Sequence, residues 1–130
     1  MASVERGFLK PVQKIVDGVA VSGTKYSDAV DLTKHSGAFS LWIKASGTAP
    51  SVTIKRHYNY ALNDSFAAGS TASTDWSGNA DTVVENFSQK TLTVEDEHPV
   101  IAPFIEYSFE PGAGDGGDTT LEMWIVVKGG

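Results

Sequence analysis

No stretch of this chain carries an amphipathic helical stripe, and that absence constrains its fold more than any other feature. Apolar residues never recur at i, i+3, i+4 and i+7 over a window of about eleven positions without a glycine or proline between them. Alternation of period two takes its place. Phe39, Leu41, Ile43 and Ala45 share one phase against Ser40, Trp42 and Lys44. Val52, Ile54, Arg56, Tyr58 and Tyr60 alternate with Thr53, Lys55, His57 and Asn59, and Leu121, Met123, Ile125 and Val127 with Glu122, Trp124, Val126 and Lys128. Half-buried antiparallel strands read in this way, because successive side chains point to opposite faces of a sheet.

The turn chemistry agrees. Ser46-Gly47-Thr48-Ala49-Pro50 separates two of these runs as a short connection, and Gly112 to Asp118 predicts a longer, more flexible tip before the last strand. Residues 63–80 form the longest irregular stretch, with Trp76 as its large anchor. Strands are expected at 12–21, 26–32, 38–46, 51–61, 81–87, 90–95, 99–109 and 119–128. Eight strands in 130 residues make an all-β antiparallel sandwich, jelly-roll or immunoglobulin-like, occupying 12–130 as a single domain. Residues 1–11 are expected as an N-terminal arm. Its Phe8 and Leu9 precede Pro11 without a strand pattern, and either fold back onto the domain or dock on a neighbour.

Composition removes several classes of function. Ten basic against sixteen acidic residues leave a net charge of −6, which argues against nucleic acid as the main partner. No apolar run approaches the roughly eighteen residues of a membrane-spanning helix. The opening residues lack a signal-peptide core, so Asn63-Asp64-Ser65 and Asn86-Phe87-Ser88 are read as chance matches to a glycosylation triplet. With no cysteine, disulfides and thiolate metal sites are out of reach, and a reducing cytosol is the expected place of synthesis.

Catalytic signals are equally thin. His35, His57 and His98 fall on separate elements without ligand spacing, and no metal or other cofactor is expected. Glu95-Asp96-Glu97-His98 and the Gly112–Asp118 run could attract calcium, but both read more simply as solvated turns. There is no nucleophile elbow. Glu106 and Glu122, on neighbouring expected strands, are the nearest thing to a glycosidase pair, and two surface carboxylates explain them as well. The chain is therefore expected not to be an enzyme. Trp42 and Trp124 remain. Both lie on the phase opposite the aliphatic one, so they should face outward as contact positions for protein or sugar.

A resemblance adds to this reading. Tyr26-Ser27-Asp28-Ala29-Val30-Asp31-Leu32 followed by Gly37-Ala38-Phe39-Ser40-Leu41-Trp42-Ile43-Lys44-Ala45-Ser46-Gly47 resembles the opening of many small virion proteins of tailed bacteriophages. The close is similar too, with Pro103-Phe104-Ile105-Glu106-Tyr107-Ser108-Phe109, a glycine-rich turn, and Thr119 to Val127. The resemblance spans residues 26–128 in pattern. It implies a capsid decoration (cement) protein or head-fibre component on the capsid exterior of a virion, with the major capsid protein and copies of itself as partners, in an oligomer such as a trimer. A tail or neck position fits the same pattern. Val4, Phe8, Leu9, Trp42 and Trp124 are then the candidate capsid or subunit contacts. The alternative is a carbohydrate- or receptor-binding module that uses Trp42, Trp76 and Trp124 as sugar platforms.

Overall fold

The structure, a computed structural model, describes residues 12–35, 37–59, 80–95 and 97–128. The expected arm at 1–11, with Val4, Phe8 and Leu9, lies outside the described residues, as do Tyr60 and Trp76.

Within them the chain forms ten strands: β1 Val12–Ala20, β2 Lys25–Tyr26, β3 Val30–Asp31, β4 Ala38–Ser46, β5 Val52–Asn59, β6 Asp81–Phe87, β7 Thr93–Val94, β8 His98–Pro99, β9 Phe104–Pro111 and β10 Thr120–Lys128. They make two antiparallel sheets that pack as a sandwich. One, sheet A, runs β1-β10-β4-β7, with β8 also on β4; the other, sheet B, runs β2-β9-β5-β6, with β3 also on β9.

The two strands beyond the expected eight come from expected runs that divide, 26–32 into β2 and β3 and 99–109 into β8 and β9. β2 and β3 are halves of one edge strand, and β7 and β8 of another. Ser27 breaks the first. Its amide donates to the Tyr107 carbonyl at 2.8 Å, while its hydroxyl accepts the Tyr107 amide at 2.9 Å. A side chain thus replaces one rung of the ladder. The next amide, that of Asp28, turns away to the Ile15 carbonyl on the opposite sheet, at 3.0 Å. The second edge stays on β4 through Glu95 N to Leu41 O at 2.7 Å and Val100 N to Gly37 O at 3.1 Å. The run expected as one strand at 99–109 in fact changes sheets, leaving β4 after Pro99 and joining β5 from Phe104.

The core follows the alternation. Phe39, Leu41, Ile43, Leu121, Met123 and Ile125 from sheet A meet Val52, Ile54, Ile105, Tyr107 and Phe109 from sheet B, all buried. β1 departs from strict alternation, since Ile15 and Val16 are consecutive and both buried. A register shift between Lys14 and Val16 permits this, and Gly18, at φ +65°, sits in a second shift between Asp17 and Val19.

One charge lies between the sheets. Arg56, on the inward phase of β5, keeps 6% of its surface. Its Nε donates to the Tyr107 hydroxyl at 3.0 Å, and its guanidinium lies 5.3 Å from the ring centroids of both Phe39 and Tyr107. Burial works against this charge, but the Tyr107 and Tyr58 hydroxyls outweigh it and leave the pKa above its usual value. Burial pushes the Tyr107 phenol up to about 12, with Arg56 opposing.

Candidate interaction surface

The outward face of sheet A is built by a single row of cross-strand partners. Lys14 on β1 pairs with Trp124 on β10, Trp124 with Trp42 on β4, and Trp42 with Val94 on β7. The two indoles expected to point outward therefore do so, side by side on neighbouring strands, each half-buried. The next row along sets Val12 against Val126.

Across these rows lies a groove of about 540 Å³ lined by Val12, Trp42, Leu92, Trp124 and Val126. Among the described residues every lining side chain is apolar or aromatic. Three apolar side chains on this side of the sheet are more exposed than any core residue: Val12 at 53%, Leu92 at 50% and Val94 at 51%. Contiguous exposure of this kind, unlike scattered single residues, marks a contact surface.

Electrostatics frame the groove on one side only. Lys14 Nζ lies 2.8 Å from Asp17 Oδ1 and 2.8 Å from Glu122 Oε2, with its ammonium 5.1 Å from the Trp124 ring centroid. Hydrogen bonds donated to Asp17 and then to Glu122 hold its pKa above the usual lysine value. The lysine is thus fixed as a charged cap on one indole. On the other, Trp42 Nε1 donates to Ser40 Oγ at 3.0 Å, so its N–H is already used. What remains facing the groove is carbon.

Sequence reasoning located the tryptophans and missed the groove. Val126 was visible, since it shares a phase with Trp124. Val12 and Leu92 were not, because nothing in a single sequence brings β1 and the segment before β7 to opposite rims of one cleft. Leu92 and Val94 alternate like inward residues, but pairing Val94 with the outward Trp42 turns that phase to solvent.

The other candidates disperse. Glu106 lies on β9 of sheet B and Glu122 on β10 of sheet A, so the two carboxylates belong to different sheets and form no facing pair. Among the described residues no group of three or more His, Asp or Glu side chains is placed to hold a metal ion. The Gly112–Asp118 tip, expected to be flexible, is tied down. Asp115 accepts from Ser51 N at 3.0 Å, Gly117 N at 3.1 Å and Thr119 Oγ1 at 2.5 Å. Asp118 accepts from Thr48 N at 3.0 Å and Thr48 Oγ1 at 2.6 Å. The aspartates of the faintly calcium-like run are therefore occupied in joining two loops.

The outer face of sheet B holds the remaining polar cluster. His57 Nε2 and Ser108 Oγ are 2.8 Å apart, and Glu106 stands opposite His57 in the register. Glu106 is 1% exposed and among the described residues its Oε1 has no hydrogen-bond partner. Burial raises its pKa to about 7. Ser108 is itself buried, which leaves this hydroxyl no open approach for a substrate.

No protein-family profile matches the chain, and no curated protein matches it. Among solved structures it is similar to a chain in the structure of infectious bursal disease virus, Gx strain. The identity is 13% and the TM-score 0.33, over 92% of this chain and 32% of that one. This chain spans about a third of that neighbour's length, and a likeness at this level carries no argument about function.

Proposed function

We propose that this protein is a non-enzymatic structural component of a tailed-bacteriophage virion: a capsid decoration protein that adheres to the outer capsid surface and to copies of itself through the outward face of sheet A. The observation that carries the reading is the Trp42–Trp124 pair set in an all-apolar groove on an exposed sheet. Aromatic anchors at the centre of a patch are the usual source of binding energy between proteins. The strand order supports the rigid-body part of the proposal. With each broken edge counted once, sheet A reads 1-8-3-6 and sheet B 2-7-4-5, an order that favours a jelly roll over the immunoglobulin arrangement.

A sugar platform is the weaker reading of the same indoles. Sugar rings stack on tryptophan but need polar partners for their hydroxyls, and among the described residues no polar side chain lines the groove.

Light scattering on the purified protein, together with the thermal stability of phage heads with and without it, tests the proposal. The expected result is an oligomer that Leu92→Lys dissociates, and heads that withstand higher temperature when decorated. A monodisperse monomer that leaves the heads unchanged, or glycan binding abolished by Trp42→Ala, would overturn it.

A further inference from the structure

We propose that the sheet A groove seats the N-terminal segment of a second copy of this chain, with Phe8 and Leu9 entering against Trp42 and Trp124. This rests on reading that face as a self-contact, and it names the contact's other half.

The argument is one of direction. Val12, the first residue of β1, is itself on the rim of the groove. From there the groove runs the way β1 runs. Val12 is level with Val126, Lys14 with Trp124 and Trp42, and Leu92 lies further on, before the Thr93–Ile43 pair. A chain that continued the line of β1 back past Val12 would run the other way. The two residues between Leu9 and Val12 are Lys10 and Pro11. Proline restricts its own φ and disfavours a helical conformation in the residue before it. Three to four residues separate Phe8 and Leu9 from Val12, a reach of at most roughly 10–14 Å. Along the line of β1 that reach leads past the end of the sheet, toward the face of a neighbouring copy.

The chemistry matches on both sides. Among the described residues the groove offers carbon surfaces only, with the Trp42 N–H satisfied by Ser40. The segment offers two adjacent large apolar side chains and a third in Val4, flanked by Glu5, Arg6 and Lys10, whose charges can remain in water at the rim.

The test is a complementation. One protein lacks residues 1–9 but keeps the groove; the other keeps the segment but carries Leu92→Lys, a change at a half-exposed site that thermal unfolding should show to be folded. Each alone should sediment as a monomer under conditions where the full chain associates, and an equimolar mixture should form a 1:1 heterodimer. A peptide of residues 1–11 should bind the shortened protein and shift its tryptophan emission to the blue. The same peptide with Phe8→Ser and Leu9→Ser should bind at least tenfold more weakly. If the shortened protein associates as tightly as the full chain while Leu92→Lys does not, the segment is not the occupant and the face keeps its role. If the full chain is monomeric, or neither change alters its association, both the seat and the face reading fall.

Discussion

Glu106 occupies the middle of a sheet with an oxygen that no donor among the described residues satisfies, and burial has raised its pKa from 4.5 to about 7. An acid whose folded pKa is raised binds its proton more tightly in the native state. Its contribution is therefore fully present below pH 4.5, declines as pH rises through about 7, and is level above that. A shift of this size corresponds to about 3 kcal/mol of pH-dependent stability. Glu106→Gln should remove that slope and stabilise the protein above pH 7 by about 2–3 kcal/mol, as read from urea unfolding at a series of pH values. An unchanged slope in the variant would place the titration elsewhere. Arg56 poses the opposite case, a buried cation held by a phenol. Tyr107→Phe removes the acceptor of its Nε–H while keeping the ring and its packing. The expected cost is about 1–3 kcal/mol, since the donor is left buried and charged. Equal stability of the two proteins would mean that the ring, and not the hydroxyl, holds the guanidinium.

At the level of elements, one end of the sandwich is a set of interlocked loops. The β4–β5 connection is bound to the β9–β10 connection through Thr48 to Asp118 and Ser51 to Asp115. The end of β6 joins them, because Asn86, at φ 54°, accepts from the Ala113 amide at 2.8 Å. Gly112 is the crossing point. A Cβ there would stand 2.5 Å from both Asn86 Oδ1 and Ser51 Oγ. Gly112→Ala should cost about 1–3 kcal/mol of stability, and hydrogen exchange should quicken at Ser51 and Ala113 before the core strands respond. Uniform exchange across both would argue that the loops do not act as a unit. None of this was legible in the sequence, where the same glycines and aspartates read as a loose tip. Glycine-rich composition describes what a backbone is free to do; the hydrogen-bond partners that pin it lie about thirty to seventy residues away, beyond any local pattern. The long central strands were legible, because β4 and β10 bury one face without interruption and so keep the period intact. The edges were not. Ser27 fits a strand by propensity, and only its pairing with Tyr107 shows that its hydroxyl has taken the place of a backbone group.

For the whole molecule, the two-layer body followed from alternation alone, and so did the outward aim of Trp42 and Trp124. The cleft between them needed the register of four strands. Of the seven links that join the eight strand positions, only β5 to β6 stays within a sheet; the other six pass from one layer to the other. Neither layer can assemble while the other waits, because sequence neighbours are almost never spatial partners. The chain must close many long loops before any of them is rewarded by burial, which places folding in the millisecond-to-second range typical of such β topologies, about 1 s⁻¹ to 10³ s⁻¹. Stopped-flow refolding should show that slow phase, and tryptophan emission and far-ultraviolet dichroism should follow one and the same unfolding curve. Two separated transitions would mean that a layer survives alone. A body wound in this way comes apart only as a whole, so local damage at a rim, by protease or by heat, has no seam along which to spread.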